Sequence, residues 1–89
     1  VRTAEALSHH RNALALAREI SEPLQEAKSL DGVAHCLDEM GEHHDASTTW
    51  RQAMALFTTL HHPEAARIAD RLRLREPTTA NGQPLPRPS

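Results

Sequence analysis

Apolar and polar positions along the chain alternate with the three-and-four spacing of amphipathic helices. The first such segment runs from about residue 3 to 20, with Ala6, Ala13, Ala17 and Ile20 as its small or apolar stripe and His10 on the same line. Glu22-Pro23 punctuates it, and proline is well tolerated in the first turn of a helix, so a second helix is predicted from there to Met40. Its stripe is Ala27, Leu30, Val33, Ala34 and Leu37. Gly41 supplies a stop, because glycine enters the left-handed region at little cost. A third helix is predicted from Glu42 or His43 to Leu60, striped by Ala46, Trp50, Ala53, Phe57 and Leu60. His62-Pro63 repeats the earlier punctuation and opens a fourth helix, Glu64 to about Arg75. From Pro77 to Ser89 there are four prolines and one large apolar residue, Leu85, which predicts a disordered tail or linker.

The segments are related to one another. A shift of forty residues places Ala6 on Ala46, Arg11 on Arg51, Ala13 on Ala53, Leu16 on Leu56 and Pro23 on Pro63. His10 falls on Trp50 and Ile20 on Leu60. A helix and its following turn are thus duplicated, which is the mark of stacked helical units. The fourth helix matches the second best at a shift near thirty-eight.

Composition narrows the class. With one Trp, one Phe, no Tyr and much alanine and leucine, the chain suits helices packed through small side chains better than a β-sandwich. A net charge of −2 gives no basic surface for nucleic acid or anionic membrane, so neither is expected as a direct partner. The single Cys36 cannot form an internal disulfide framework and fits a cytoplasmic setting. No run approaches the ~20 apolar residues of a membrane span. Val1 is not an initiator methionine, so the chain reads as a fragment of something larger.

The middle of the chain resembles a tetratricopeptide repeat. That family wants a small residue at the helix crossing, a glycine in the turn, an aromatic on the second helix and an alanine three residues later. Ala34, Gly41, Trp50 and Ala53 stand in this order, with Ala46 also on the packing face. The family's turn aromatic is replaced by His43. The resemblance implies an all-α, right-handed solenoid of antiparallel helix hairpins, about four helices plus the tail. Residues 1–20 would be the second helix of a preceding repeat, 21–60 a complete repeat, 61–76 the first or capping helix of the next, and 77–89 the tail. The runs Ala13–Ile20, Trp50–Phe57 and His62–Arg67 also resemble the forty-residue repeats at the C-terminal ends of large bacterial transcriptional activators. That likeness implies a regulatory interaction segment in a transcription factor.

Candidate chemistry is sparse. Lys28, Asp31, His35, Asp38 and Glu39 share an arc of about 100° on the second helix, away from its apolar stripe. In the resembled family this face lines a peptide-binding groove, here suited to a basic or mixed-charge peptide. The plainer reading is a solvated helix face, where exposed ion pairs contribute little. Seven histidines include three adjacent pairs, but neighbours on a helix diverge by about 100° and no two are spaced i, i+4. No metal or cofactor is expected. His35 with Asp31 and Glu39 would make only a weak surface site, the basis of an alternative small-ligand or metal sensor. His10 invites a pH-sensitive packing role, or simply partial exposure for want of a partner helix. His35 and Cys36 are neighbours on a helix and cannot face each other as base and nucleophile, and no glycine-rich phosphate loop exists. Pro84–Pro88 is compatible with a polyproline II ligand. The expectation is a non-enzymatic protein-interaction module, with self-association as a second alternative. Its route would be a homodimer through the first helix, whose stripe lacks its own partner.

Overall fold

The computed structural model describes residues 2–75 and is all-helical across them. Its helices are α1 (Arg2–Glu19), α2 (Pro23–Glu39), α3 (His43–Thr59) and α4 (Glu64–Arg75). Val1 and residues 76–89, with the proline-rich tail and its Pro84–Pro88 segment, lie outside the described residues.

Three turns of one kind join the helices. Glu22 N–H bonds to Ala17 C=O and Ser21 N–H to Arg18 C=O; Glu42 bonds to Leu37 and Gly41 to Asp38; His62 bonds to Phe57 and His61 to Thr58. Each is a Schellman closure, which satisfies the orphaned carbonyls of a helix end and places one residue in the left-handed region. Those residues are Ser21 (φ 56°), Gly41 (φ 84°) and His61 (φ 53°), evenly spaced at every twentieth position. In the third turn the ring of His62 covers that of Phe57 at 4.9 Å between centroids. Its Nδ1 also accepts the Glu64 N–H at 3.1 Å, capping α4.

Only Gly41 holds its left-handed φ without Cβ strain. A non-glycine residue there costs about 1–2 kcal/mol, and glycine gives back about 0.5–1 kcal/mol in chain entropy. Ser21→Gly and His61→Gly are each expected to stabilise the fold by roughly 0.5–1 kcal/mol on this balance. Thermal melts of the two variants check this; His61→Gly isolates the turn because His62 keeps the cap.

Cross-helix contacts give the directions of the helices. Thr3 bonds to Glu39 while His10 lies over Gly32, so positions fall along α2 as they rise along α1. Trp50 meets Asp31 while His43 meets Asp38, the same reversal between α2 and α3. Both neighbouring pairs are therefore antiparallel. Across to α4 the order is preserved, His35 with Arg71 and Asp38 with Arg75, so α2 and α4 run parallel. Backbones pack closely only between chain neighbours; no Cα of α4 comes within 8 Å of one in α2 among the described residues. Side chains alone join those two helices.

The core follows the stripes of α2 and α3. Ala27, Leu30, Val33, Ala34 and Leu37 face Ala46, Trp50, Ala53 and Phe57, and α4 adds Ile68 and Leu72. Ala27, Ala34, Ala46 and Ala53 are wholly inaccessible. A bare methyl at these places lets helix axes approach, and the large Trp50 and Phe57 fill the space between. Cys36 is buried too, and burial, then the nearby Glu39 charge, pushes its thiol pKa up, so it stays protonated and inert at neutral pH.

The stripe expected on α1 needs correction. Leu7 and Ala17 are its buried residues, with Ala6 and Leu14 partly buried, whereas Ala13 and Ile20 are exposed. The helix is rotated from the phase that the forty-residue shift suggests. It has a neighbour on one side only, and it turns its larger leucines toward that neighbour. His10 is half-buried rather than unpartnered: its ring lies where a Cβ on Gly32 would stand, 2.4 Å from Nδ1. The missing side chain of Gly32 is what seats the imidazole.

Candidate functional site

Trp50 lies at the meeting point of α2, α3 and α4. It is 1% exposed, and its Nε1–H donates to Asp31 Oδ1 at 2.9 Å, which settles the one polar atom of a buried indole. His35 of α2 meets the ring edge-on, with centroids 5.2 Å apart and planes at 88°. From α4 the guanidinium carbons of Arg71 and Arg75 stand 5.1 and 5.3 Å from the ring centroid. Cation–π attraction of this kind contributes about 0.5–2 kcal/mol per contact, more as water is excluded. Two guanidinium groups of α4 thus stand over the indole.

Those arginines reach the acidic face of α2. Arg75 binds Asp38 through both terminal nitrogens, at 3.2 and 2.5 Å. His43 Nδ1, at the start of α3, donates to the same carboxylate at 2.7 Å. Arg71 lies against the His35 ring, 3.1 Å from Nδ1 and 3.0 Å from Nε2. One turn back, Arg67 pairs with Glu64 on its own helix, and Arg73 pairs with Asp70. Between the walls runs an open groove lined by Asp38, Trp50, Arg67, Asp70, Arg71, Leu74 and Arg75. At its rim Leu74 is 90% exposed.

The five residues expected on the groove face are therefore distributed unequally. Asp31 is held by Trp50, His35 by Arg71 and Trp50, Asp38 by Arg75 and His43, and Glu39 by the hydroxyl of Thr3 at 3.0 Å. Lys28 is exposed in the N-terminal half of α2. Four of the five are thus engaged with neighbouring helices; of the five only Asp38 lines the groove, whose exposed groups come from α4. The residues that sequence reasoning overlooked are Arg67, Arg71, Arg75 and Leu74. Their signal was present, since three arginines at i, i+4 and i+8 make a basic line along one helix.

A second, smaller cleft lies between α1 and α2, lined by Arg2, Thr3, Ala6, His10, Gly32, His35, Cys36 and Glu39. Despite its histidines, no group of three His, Cys, Asp or Glu side chains is placed to hold a metal ion among the described residues. No helix among them is long and apolar enough to cross a membrane.

The partners of Asp38 set its titration. Its pKa lies below the ordinary 3.8, chiefly because of the hydrogen bond from His43; partial burial acts the other way, and Arg75 adds its own hydrogen bond and charge to the lowering. A carboxyl lowered on folding binds fewer protons folded than unfolded. Its stabilisation is complete above the unfolded value, about pH 4, and is lost as pH falls through the folded value. Urea midpoints are therefore expected to decline below about pH 4, and Asp38→Asn is expected to flatten that decline. A variant whose acid limb matches the wild type would place the titration elsewhere.

Comparison with protein-family models, curated proteins and solved structures returned no match for this chain.

Proposed function

We propose that this chain is a non-enzymatic protein-interaction module, a tetratricopeptide-like stack of helix hairpins whose binding surface is the groove between α2 and α4. The observation that carries the reading is that groove itself. α4 supplies Arg67, Asp70, Arg71, Leu74 and Arg75 to its lining, α2 supplies Asp38 and α3 supplies Trp50, and Leu74 stands exposed. Recurring identical turns at Ser21, Gly41 and His61 support the repeat architecture. Charges of both signs on the walls suit an extended or helical peptide with an apolar anchor for Leu74 and polar groups beside it. Arg67 and Asp70 are the exchangeable contacts, because exposed pairs within one helix contribute little and are readily traded. The parentage we propose is the C-terminal regulatory segment of a bacterial transcriptional activator, supported by the repeat runs at Ala13–Ile20, Trp50–Phe57 and His62–Arg67.

Selection from a random peptide library, followed by calorimetry of the enriched peptides, tests the groove. Binding is expected to be lost in Leu74→Asp while the melting temperature is retained. Peptides that bind the variant equally well would place the surface elsewhere.

One observation favours self-association as a second reading. Leu16 and Ile20 on α1 are 55% and 56% exposed, with Ala13 beside them. Solenoid ends of this sort are normally covered by a cap or a neighbouring repeat. Sedimentation equilibrium distinguishes this reading, which predicts a dimer weakened by Leu16→Glu.

A further inference from the structure

His35 joins three helices through a single ring. Its Nε2 lies 3.4 Å from Asp31 Oδ1, the oxygen that also accepts the Trp50 N–H. Arg71 Nη1 lies within 3.1 Å of both ring nitrogens. A neutral imidazole offers one N–H and one acceptor, whereas a carboxylate only accepts and a guanidinium only donates. Arg71 Nη1 is shared between the two ring nitrogens, so the neutral ring offers it an acceptor, while Nε2 also lies beside the Asp31 carboxylate. The ring then bridges an anion on α2 to a cation on α4, and it holds that cation over the face of Trp50.

A second proton on the ring changes the sign of one contact and not the other. Asp31 faces a donor and gains an opposite charge. Arg71 loses its acceptor and meets a like charge at hydrogen-bond distance, and arginine has no means of shedding its own proton. The charged and titratable groups lining the cleft beside the ring are Glu39, Arg2, His10 and the neutral Cys36, and Trp50 presents only its ring. What makes the contact consequential is the absence of backbone packing between α2 and α4.

We propose that His35 is a proton-operated latch on α4. Neutral, it fastens Arg71 over the indole; protonated, it keeps Asp31 and releases Arg71, so that the part of the Trp50 face beneath Arg71 opens. Arg75, at the C-terminal end of α4, stays tied to Asp38 and keeps the helix attached. The latch does not depend on any ligand of the groove.

Trp50 is the chain's one tryptophan, so its fluorescence reads the latch directly. Emission and far-ultraviolet circular dichroism are followed on the whole chain from ~pH 8 to ~pH 5, the range in which histidine side chains change charge. The expected result is a red shift of the emission maximum at constant helicity. It should be absent in His35→Gln and in Arg71→Met, and retained in His43→Gln. Three outcomes would overturn the proposal: a flat wild-type profile, a red shift that persists in His35→Gln, or one that tracks a loss of helicity. Should His35→Gln fail to fold, Arg71→Met alone decides, since the latch requires its profile to be flat.

Discussion

Trp50→Ala is expected to unfold the domain or bring it to the edge of unfolding. The indole is the largest fully buried side chain, and α2, α3 and α4 all place atoms against it. Large-to-small changes of this kind cost about 3–5 kcal/mol, from lost transfer energy and the cavity left behind. A small domain has about 5 kcal/mol in total, near the low end of the usual range. The substitution also deprives Asp31 of the N–H it accepts and Arg71 and Arg75 of the face they cover. Trp50→Phe separates the two effects. It keeps an aromatic face but leaves the Asp31 carboxylate without that donor, for which about 1–3 kcal/mol is expected. Urea titrations followed by circular dichroism measure both, and an unchanged midpoint for Trp50→Ala would remove the indole from the centre of the fold.

Ala34→Leu is expected to be nearly as damaging, for the opposite reason. Ala34 has no accessible surface, and neither have Ala46 and Ala53 on the facing helix. Three added carbons would need the α2 and α3 axes to separate, and inserted methylenes in a full core typically cost 1–3 kcal/mol, sometimes more. Ala13 provides the control, since it is exposed on α1 and its replacement by leucine should stay within about 0.5 kcal/mol of neutral. Equal midpoints for the two leucine variants would mean that no close crossing exists at Ala34.

The sequence made α2 and α3 readable because each carries one clean apolar stripe flanked by charge. Helix α1 was ambiguous for a physical reason. It is apolar at Leu7, Leu14 and Ala17 and again at Ala13, Leu16 and Ile20, and periodicity cannot choose between two faces when both are apolar. Its likeness to α3 suggests one face, and contact with α2 shifts it, keeping Ala6, His10 and Ala17 and exchanging Ala13 and Ile20 for Leu7 and Leu14. The turns show a similar limit. Pro23 and Pro63 mark where helices restart, but the left-handed residues are Ser21 and His61, two places earlier. Neither residue type announces that conformation as Gly41 does. At the candidate site the acidic arc of α2 was legible as a surface, since charges at helical spacing are a local property. That Arg71 and Arg75 close over it was not, because the pairing spans 36 and 37 residues and depends on how α4 is laid across Trp50.

The proposed binding surface is the groove lined by α4, Asp38 and Trp50, and chemical-shift mapping tests that proposal most directly. Backbone amide resonances are recorded on the full chain while a library-selected peptide is added. The predicted result is a contiguous set of perturbations at Asp38, Arg67, Asp70, Leu74 and Arg75, accompanied by the indole N–H of Trp50. Perturbations centred on Leu16 and Ile20, with the groove signals unmoved, would contradict it.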